Sequence, residues 1–144
     1  MLAGVGRIGR IGGAGTGSAG GAVEAFISVW ATTGTFETIT IPCQNVGTFF
    51  AQINWGDGTP NSFITAYNDA DLAHEYAAIG DHTISIVGVF PNIYFNSGGD
   101  KDKIKRVTNL GTVGWTRLDR AFFGCTNLTE FTVGSTDTSA VTSM

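Results

Sequence analysis

The stretch Ile53-Asn54-Trp55-Gly56-Asp57-Gly58-Thr59 constrains this chain more than any other. An alternating apolar run leads straight into an acid flanked by two glycines. Asp-Gly supplies the positive φ that a primed hairpin turn needs at little steric cost. Asp57 can accept hydrogen bonds from the turn backbone, and Gly56 lets the chain bend ahead of it. A Trp placed just before such a turn is a core anchor for a small β domain. The stretch predicts antiparallel strands and tight turns.

The rest of the chain agrees. Phe26-Ile27-Ser28-Val29-Trp30 is rich in strand formers. Ile39 and Ile41 fall on one face of the next run, with Thr38 and Thr40 on the other. Pro42 ends that run or sets it at an edge. Ala51, Ile53 and Trp55 point inward, and Phe63-Ile64-Thr65 follows the turn as a short strand. Leu72, His74 and Tyr76 share a face. Beyond the Gly80-Asp81 turn, His82 to Val89 is the clearest strand, with Ile84 and Ile86 inward. Strands this short, spaced this evenly, predict an all-β sandwich.

Length and charge bound the answer further. At 144 residues the chain can form one domain or two small ones. Roughly two thirds of its unfolded surface can then be buried. Only 14% of residues are charged and the net charge is −4, which argues against a nucleic-acid binder. No apolar window approaches the ~18 residues of a membrane span. Cys43 and Cys125 form neither a disulfide framework nor a zinc pattern. Two buried thiols are expected, with a single bridge as the alternative.

Residues 1–25 contain nine glycines and a short tandem, Arg7-Ile8-Gly9 and Arg10-Ile11-Gly12. Gly4-Val5-Gly6-Arg7-Ile8-Gly9 spells a phosphate-cradling fingerprint but lacks the strand before it and the helix after it. The segment is expected to be an extended Gly-rich arm that anchors the protein to other chains. Ile8 and Ile11 would be its apolar pegs, and Arg7 and Arg10 its charged contacts.

Trp55-Gly56-Asp57-Gly58-Thr59, then His74-Glu75-Tyr76, then Gly80 and Thr83-Ile84-Ser85-Ile86, resembles the PKD domain. The resemblance implies an immunoglobulin-like β-sandwich over residues 26–92, used as a spacer or binding module and not as an enzyme. Beyond Pro91 the character changes. Ile104 to Gly111 is echoed by Leu128 to Gly134 at an offset of 24 residues, within the leucine-rich-repeat range. Phe123-Gly124-Cys125-Thr126-Asn127-Leu128-Thr129 and Asp137-Thr138-Ser139-Ala140-Val141-Thr142-Ser143-Met144 resemble the BspA-type repeats of bacterial surface proteins. That implies a short leucine-rich-repeat-like segment over residues 93–144, with Cys125 in its core. Leu118 to Phe123 could form a short helix between the echoes. Repeat stacks usually need about three or more units, so the last strand edge requires cover from the sandwich or another subunit. Either the chain is a truncated relative of the family, or contacts in a homo-oligomer, which is expected, replace the missing repeats.

No catalytic constellation can be assembled from this pattern, and none is expected. Asp57 suits a structural turn bond, and His74 a packed position in a strand. Asn68-Asp69-Ala70-Asp71 and Asp100-Lys101-Asp102 are weak Ca²⁺ candidates without EF-hand spacing; no other cofactor or metal is expected. Lys101, Lys103, Lys105 and Arg106 are interleaved with acids and suit a solvated face. Phe90, Tyr94, Phe95 and Trp115 lie near the junction of the halves. They suit core that joins the two parts; if exposed, Tyr94, Phe95 and Trp115 would suit a surface that stacks on sugars.

Both resemblances belong to surface-exposed modules, while the N-terminus carries no export-signal pattern. A bacteriophage virion accessory protein is the leading expectation: a head decoration, head fibre or tail-associated protein located on the virion. Its arm would contact other virion structural proteins, and the rest would project outward, with a host-surface glycan as a candidate ligand. The alternatives are a bacterial cell-surface adhesion protein and a non-catalytic carbohydrate-binding module. Neither nucleic-acid binding nor membrane insertion is expected.

Overall fold

A computed structural model describes residues 23–144, whose regular secondary structure is β-strand apart from one short helical turn at Ala70–Leu72. The strands are β1 (Phe26–Thr32), β2 (Glu37–Thr40), β3 (Phe50–Asn54), β4 (Ser62–Ile64), β5 (Ala73–Tyr76), β6 (Gly80–Val89), β7 (Ile104–Asn109) and β8 (Glu130–Phe131). Six of them form one sheet in the order β4-β3-β6-β1-β7-β8, and β2 pairs with β5 in a second, two-stranded sheet. All pairs are antiparallel except β7 with β8.

Alternation assigns the faces as the sequence predicts. Ala51, Ile53, Ile64, Ile84 and Ile86 point inward and are buried, and Ile39 and Ile41 bury from the smaller sheet. Trp30, Trp55 and Trp115 have no exposed surface. At about 25 cal/mol per Å² of apolar surface removed from water, these large rings dominate the stabilisation of a domain this size.

The boundary expected between residues 92 and 93 runs through one continuous core. Ile104, Val107, Leu110, Val113 and Trp115 belong to the same buried cluster as Phe26, Trp30 and Ile53. The cause is topological: β7 pairs with β1, setting Ser28 opposite Val107 and Trp30 opposite Ile104. Trp115 then meets Phe26 edge to face at 5.2 Å between ring centroids, and Phe95 packs on Trp30 at 5.6 Å.

Two local expectations need correction. The Asp57-Gly58 turn is not a two-residue hairpin, because the last pair of β3 with β4 is Ile53 with Ser62 and the intervening loop is wider. Gly56 and Gly58 both take positive φ, 79° and 84°. At Gly56 the backbone also passes hard against the carbonyl of Thr83, where any Cβ would collide. Leu118 to Phe123 is not a helix but a series of turns. Arg120 sits in the left-handed region at φ 54°, which no helix residue can adopt.

The 24-residue offset reappears as a register. Arg106 lies beside Glu130 and Val107 beside Phe131, in parallel. Single parallel bridges continue the stack from Gly111 to Thr136 and from Arg117 to Ser143. The chain thus makes one full coil back onto itself, and among the described residues β8 is paired on one side only.

Candidate functional site

Two strands and one loop bring the spaced motif residues together. Asp57 stands in the loop after β3, His74 and Tyr76 on one face of β5, and His82 near the start of β6. His74 Nε2 donates to Asp57 Oδ2 at 2.7 Å, and the imidazole stacks on Trp55 with centroids 4.8 Å apart and planes 12° apart. Tyr76 Oη donates to the Trp55 carbonyl at 2.7 Å, while its ring stacks on His82 at 3.7 Å. His82 Nε2 meets Thr32 Oγ1 at 2.9 Å, and that hydroxyl reaches the Ala78 carbonyl at 3.1 Å.

The electrostatics follow from these contacts. Burial works against ionising Asp57, but hydrogen bonds from Thr59 and His74 outweigh it and hold the carboxyl at about 2. Burial pushes the Tyr76 phenol well above its usual range, and the charge of Asp57 adds to the effect. Burial favours the neutral form of His82; His74 acts in the same direction, and Asp57 and Asp81 oppose it. Both Asp57 oxygens are engaged, Oδ1 by Thr59 and Oδ2 by His74. The imidazole of His74 is held by a carboxylate and two aromatic rings. This arrangement locks a turn onto a strand; it presents no activated nucleophile.

The calcium candidates are engaged in the same way. Asp69 accepts from Thr65 N–H and Asp71 N–H, capping the short turn Ala70–Leu72. Asp100 accepts from Thr40 N–H and pairs with Lys103 at 3.2 Å, and Asp102 pairs with Lys101 at 2.8 Å. Among the described residues no cluster of three or more His, Cys, Asp or Glu is arranged to hold a metal ion. The basic run is paired throughout: Lys103 also reaches Glu37, Lys105 reaches Asp81 and Arg106 reaches Glu130.

Of the residues expected to form a stacking surface, Phe95 and Trp115 are buried, at 4% and 0% exposure. Trp115 donates its indole N–H to the Leu110 carbonyl at 3.0 Å, so its polar edge is spent inside the core. Phe95 is sandwiched between Trp30 and Phe122. These rings join the two halves and cannot meet a surface ligand. Tyr94 is half-buried. Arg7, Ile8, Arg10 and Ile11 lie outside the described residues.

Cys43 and Cys125 are both free thiols. Burial pushes them up to about 12 and about 11 respectively, which leaves them inert near neutral pH.

The surface feature that sequence reasoning did not locate is an apolar groove of about 470 Å³ at the open end of the coil. Leu110, Leu118, Ala121, Phe122, Phe131 and Val133 line it. Phe122 connects Phe131 to the core, at 5.3 Å from Phe131 and 6.2 Å from Phe95. Phe123, Phe131, Val133 and Met144 are exposed around the groove. The signal in the sequence was the 24-residue echo, which predicts a coil but not the shape of the surface beside it.

No helix among the described residues is long and apolar enough to cross a membrane. No family model matches the chain, and comparisons with curated proteins and with solved structures return no match either.

Proposed function

We propose that this protein is a non-enzymatic accessory protein of a bacteriophage virion, anchored through residues 1–25 and projecting its β domain outward. One observation supports this reading above others. Among the described residues the polar clusters are spent on internal hydrogen bonds, while the end of the coil offers an apolar groove beside β8, the last strand of the described sheet. Such a surface suits docking to protein neighbours. Many weak contacts of this kind, repeated over a particle, add up through multivalency.

The PKD-type sandwich and the BspA-type repeat are part of the same proposal. The parallel register of Val107 with Phe131, 24 residues apart, supports the repeat and keeps a bacterial cell-surface adhesion protein as the second reading. The carbohydrate-binding alternative loses its platform with the burial of Phe95 and Trp115.

Immunogold labelling with antibodies against the β domain tests the proposal. Label on purified phage particles is the expected outcome. Label confined to the bacterial envelope would overturn it in favour of the adhesion protein.

A further inference from the structure

The outer face of the large sheet carries an apolar patch, separate from the coil-end groove. Phe50 is paired with Val89, and Gln52 lies between Phe63 on β4 and Val87 on β6. Ala51, Ile53, Ile64 and Ile86 point into the core, so alternation turns Phe50, Gln52, Phe63, Val87 and Val89 the other way. Phe50 and Phe63 are 63% and 57% exposed, and Val87 and Val89 are 37% and 43% exposed. These four side chains offer on the order of 400 Å² of apolar surface.

That area matches one side of a stable pairing. A standard interface takes about 800 Å² from each partner, of which a little over half is apolar. Asn54 and Ser85, paired with each other next along the strands, supply the start of a polar rim. A sheet face can meet another sheet face directly, at a separation of about 10 Å.

Two features make a second copy of this chain the fitting partner. The first is charge. β3 and β4 carry no Asp, Glu, Lys or Arg, and the only one on β6 is Asp81, at the end of the strand away from Val89. Asp81 is itself paired with Lys105. A copy related by a two-fold axis therefore brings no like charge against the patch, where a mismatch would cost most. The second is Gln52. It is half-buried among the four apolar side chains, and its amide makes no hydrogen bond among the described residues. An amide carries both a donor and an acceptor. Two glutamines facing each other across a two-fold axis exchange two hydrogen bonds and satisfy each other, as an isologous contact requires.

We infer that the outer face of the large sheet is a homodimer interface, with two copies packed face to face about an axis at Gln52. Phe50, Phe63, Val87 and Val89 form its apolar centre. The inference does not rest on the virion reading: particle labelling can fail while the dimer stands, and the reverse.

Sedimentation analysis of the full chain tests it. An interface of this size gives a Kd of about 1 μM or tighter, so wild-type protein should sediment as two chains above that concentration. F50D/F63D should sediment as a single chain with unchanged far-UV circular dichroism. Gln52→Glu and Gln52→Lys should each weaken the dimer at least ~10-fold, because like charges then meet on the axis. An equimolar mixture of these two variants should restore it. That rescue requires Gln52 to face its own twin, so it decides the matter even where F50D/F63D does not fold. A wild-type chain that stays monomeric well above the micromolar range overturns the inference, whether another part of the chain or a different protein covers the face. So does a dimer that persists in F50D/F63D, or a mixture of the two charge variants that dissociates as readily as either alone.

Discussion

Tyr76 Oη donates to the carbonyl of Trp55 at 2.7 Å, joining residues 21 apart in the chain. The bond closes the loop after β3 onto β5, in a buried setting where that carbonyl has little access to water. Tyr76→Phe keeps the ring stacked on His82 but removes the donor. An unsatisfied buried acceptor costs ~1–3 kcal/mol. Urea titration should show that loss as a lower midpoint with an unchanged slope.

Gly56 and Gly58 share a positive φ but not an environment. Gly58 has open space where a Cβ would go, whereas at Gly56 a Cβ meets the backbone of Thr83. Gly58→Ala should cost about 1 kcal/mol, the ordinary penalty of the left-handed region. Gly56→Ala should cost roughly 2 kcal/mol or more, since β3 and β6 must also move apart. Thermal melts of the two variants side by side check the difference; equal losses would contradict the close approach.

Acid should weaken the fold in two stages. His82 has a depressed folded value, so the unfolded chain takes up the proton first, and stability falls as pH drops below the ordinary 6.5. Asp57 is held at about 2 against an ordinary 3.8, so its contribution is present above 3.8 and is lost as pH falls toward 2. Asp57→Ala should lower stability near neutral pH and flatten the second stage. His82→Phe should flatten the first. Denaturation midpoints measured across the acid range would separate them.

Both thiols should resist modification in the folded protein. Burial raises Cys43 to about 12 and Cys125 to about 11. At about pH 8 their reaction with an aromatic disulfide reagent should be at least ~100-fold slower than for a free cysteine. Urea should release two reactive thiols per chain without any reductant. A single cross-linked species on a non-reducing gel would contradict the free-thiol state.

Much of the fold was legible in short-range pattern. The period-two alternation of Ile39, Ile41, Ala51, Ile53, Ile84 and Ile86 marked the buried faces, because a pleated strand has no other way to sort its side chains. The three spaced motif segments marked a real meeting point, where Trp55, Asp57, His74 and Tyr76 touch. What stayed hidden depended on long-range pairing. No local signal says that β7 inserts between β1 and β8, so the halves looked separable when they share a core. Leu118, Ala121 and Phe122 have helical spacing, and only the left-handed backbone of Arg120 rules the helix out. A Trp near a loop has the same letter whether it faces in or out, and the burial of Trp115 is decided by Phe26 and Phe90, distant in sequence. The groove beside Phe131 has no local signature, because its shape depends on the turns at 118–124.

The parallel step from Val107 to Phe131 also says what such a coil is for mechanically. Stretched out, its 24 residues would span about 80 Å. Wound this way they advance the structure by only ~4.8 Å. A chain that spends its length so heavily gives up reach for stiffness. The coil therefore keeps Phe131 within one strand spacing of the buried Val107, so a contact made at Phe131 is made close to the core and not at the end of a long reach.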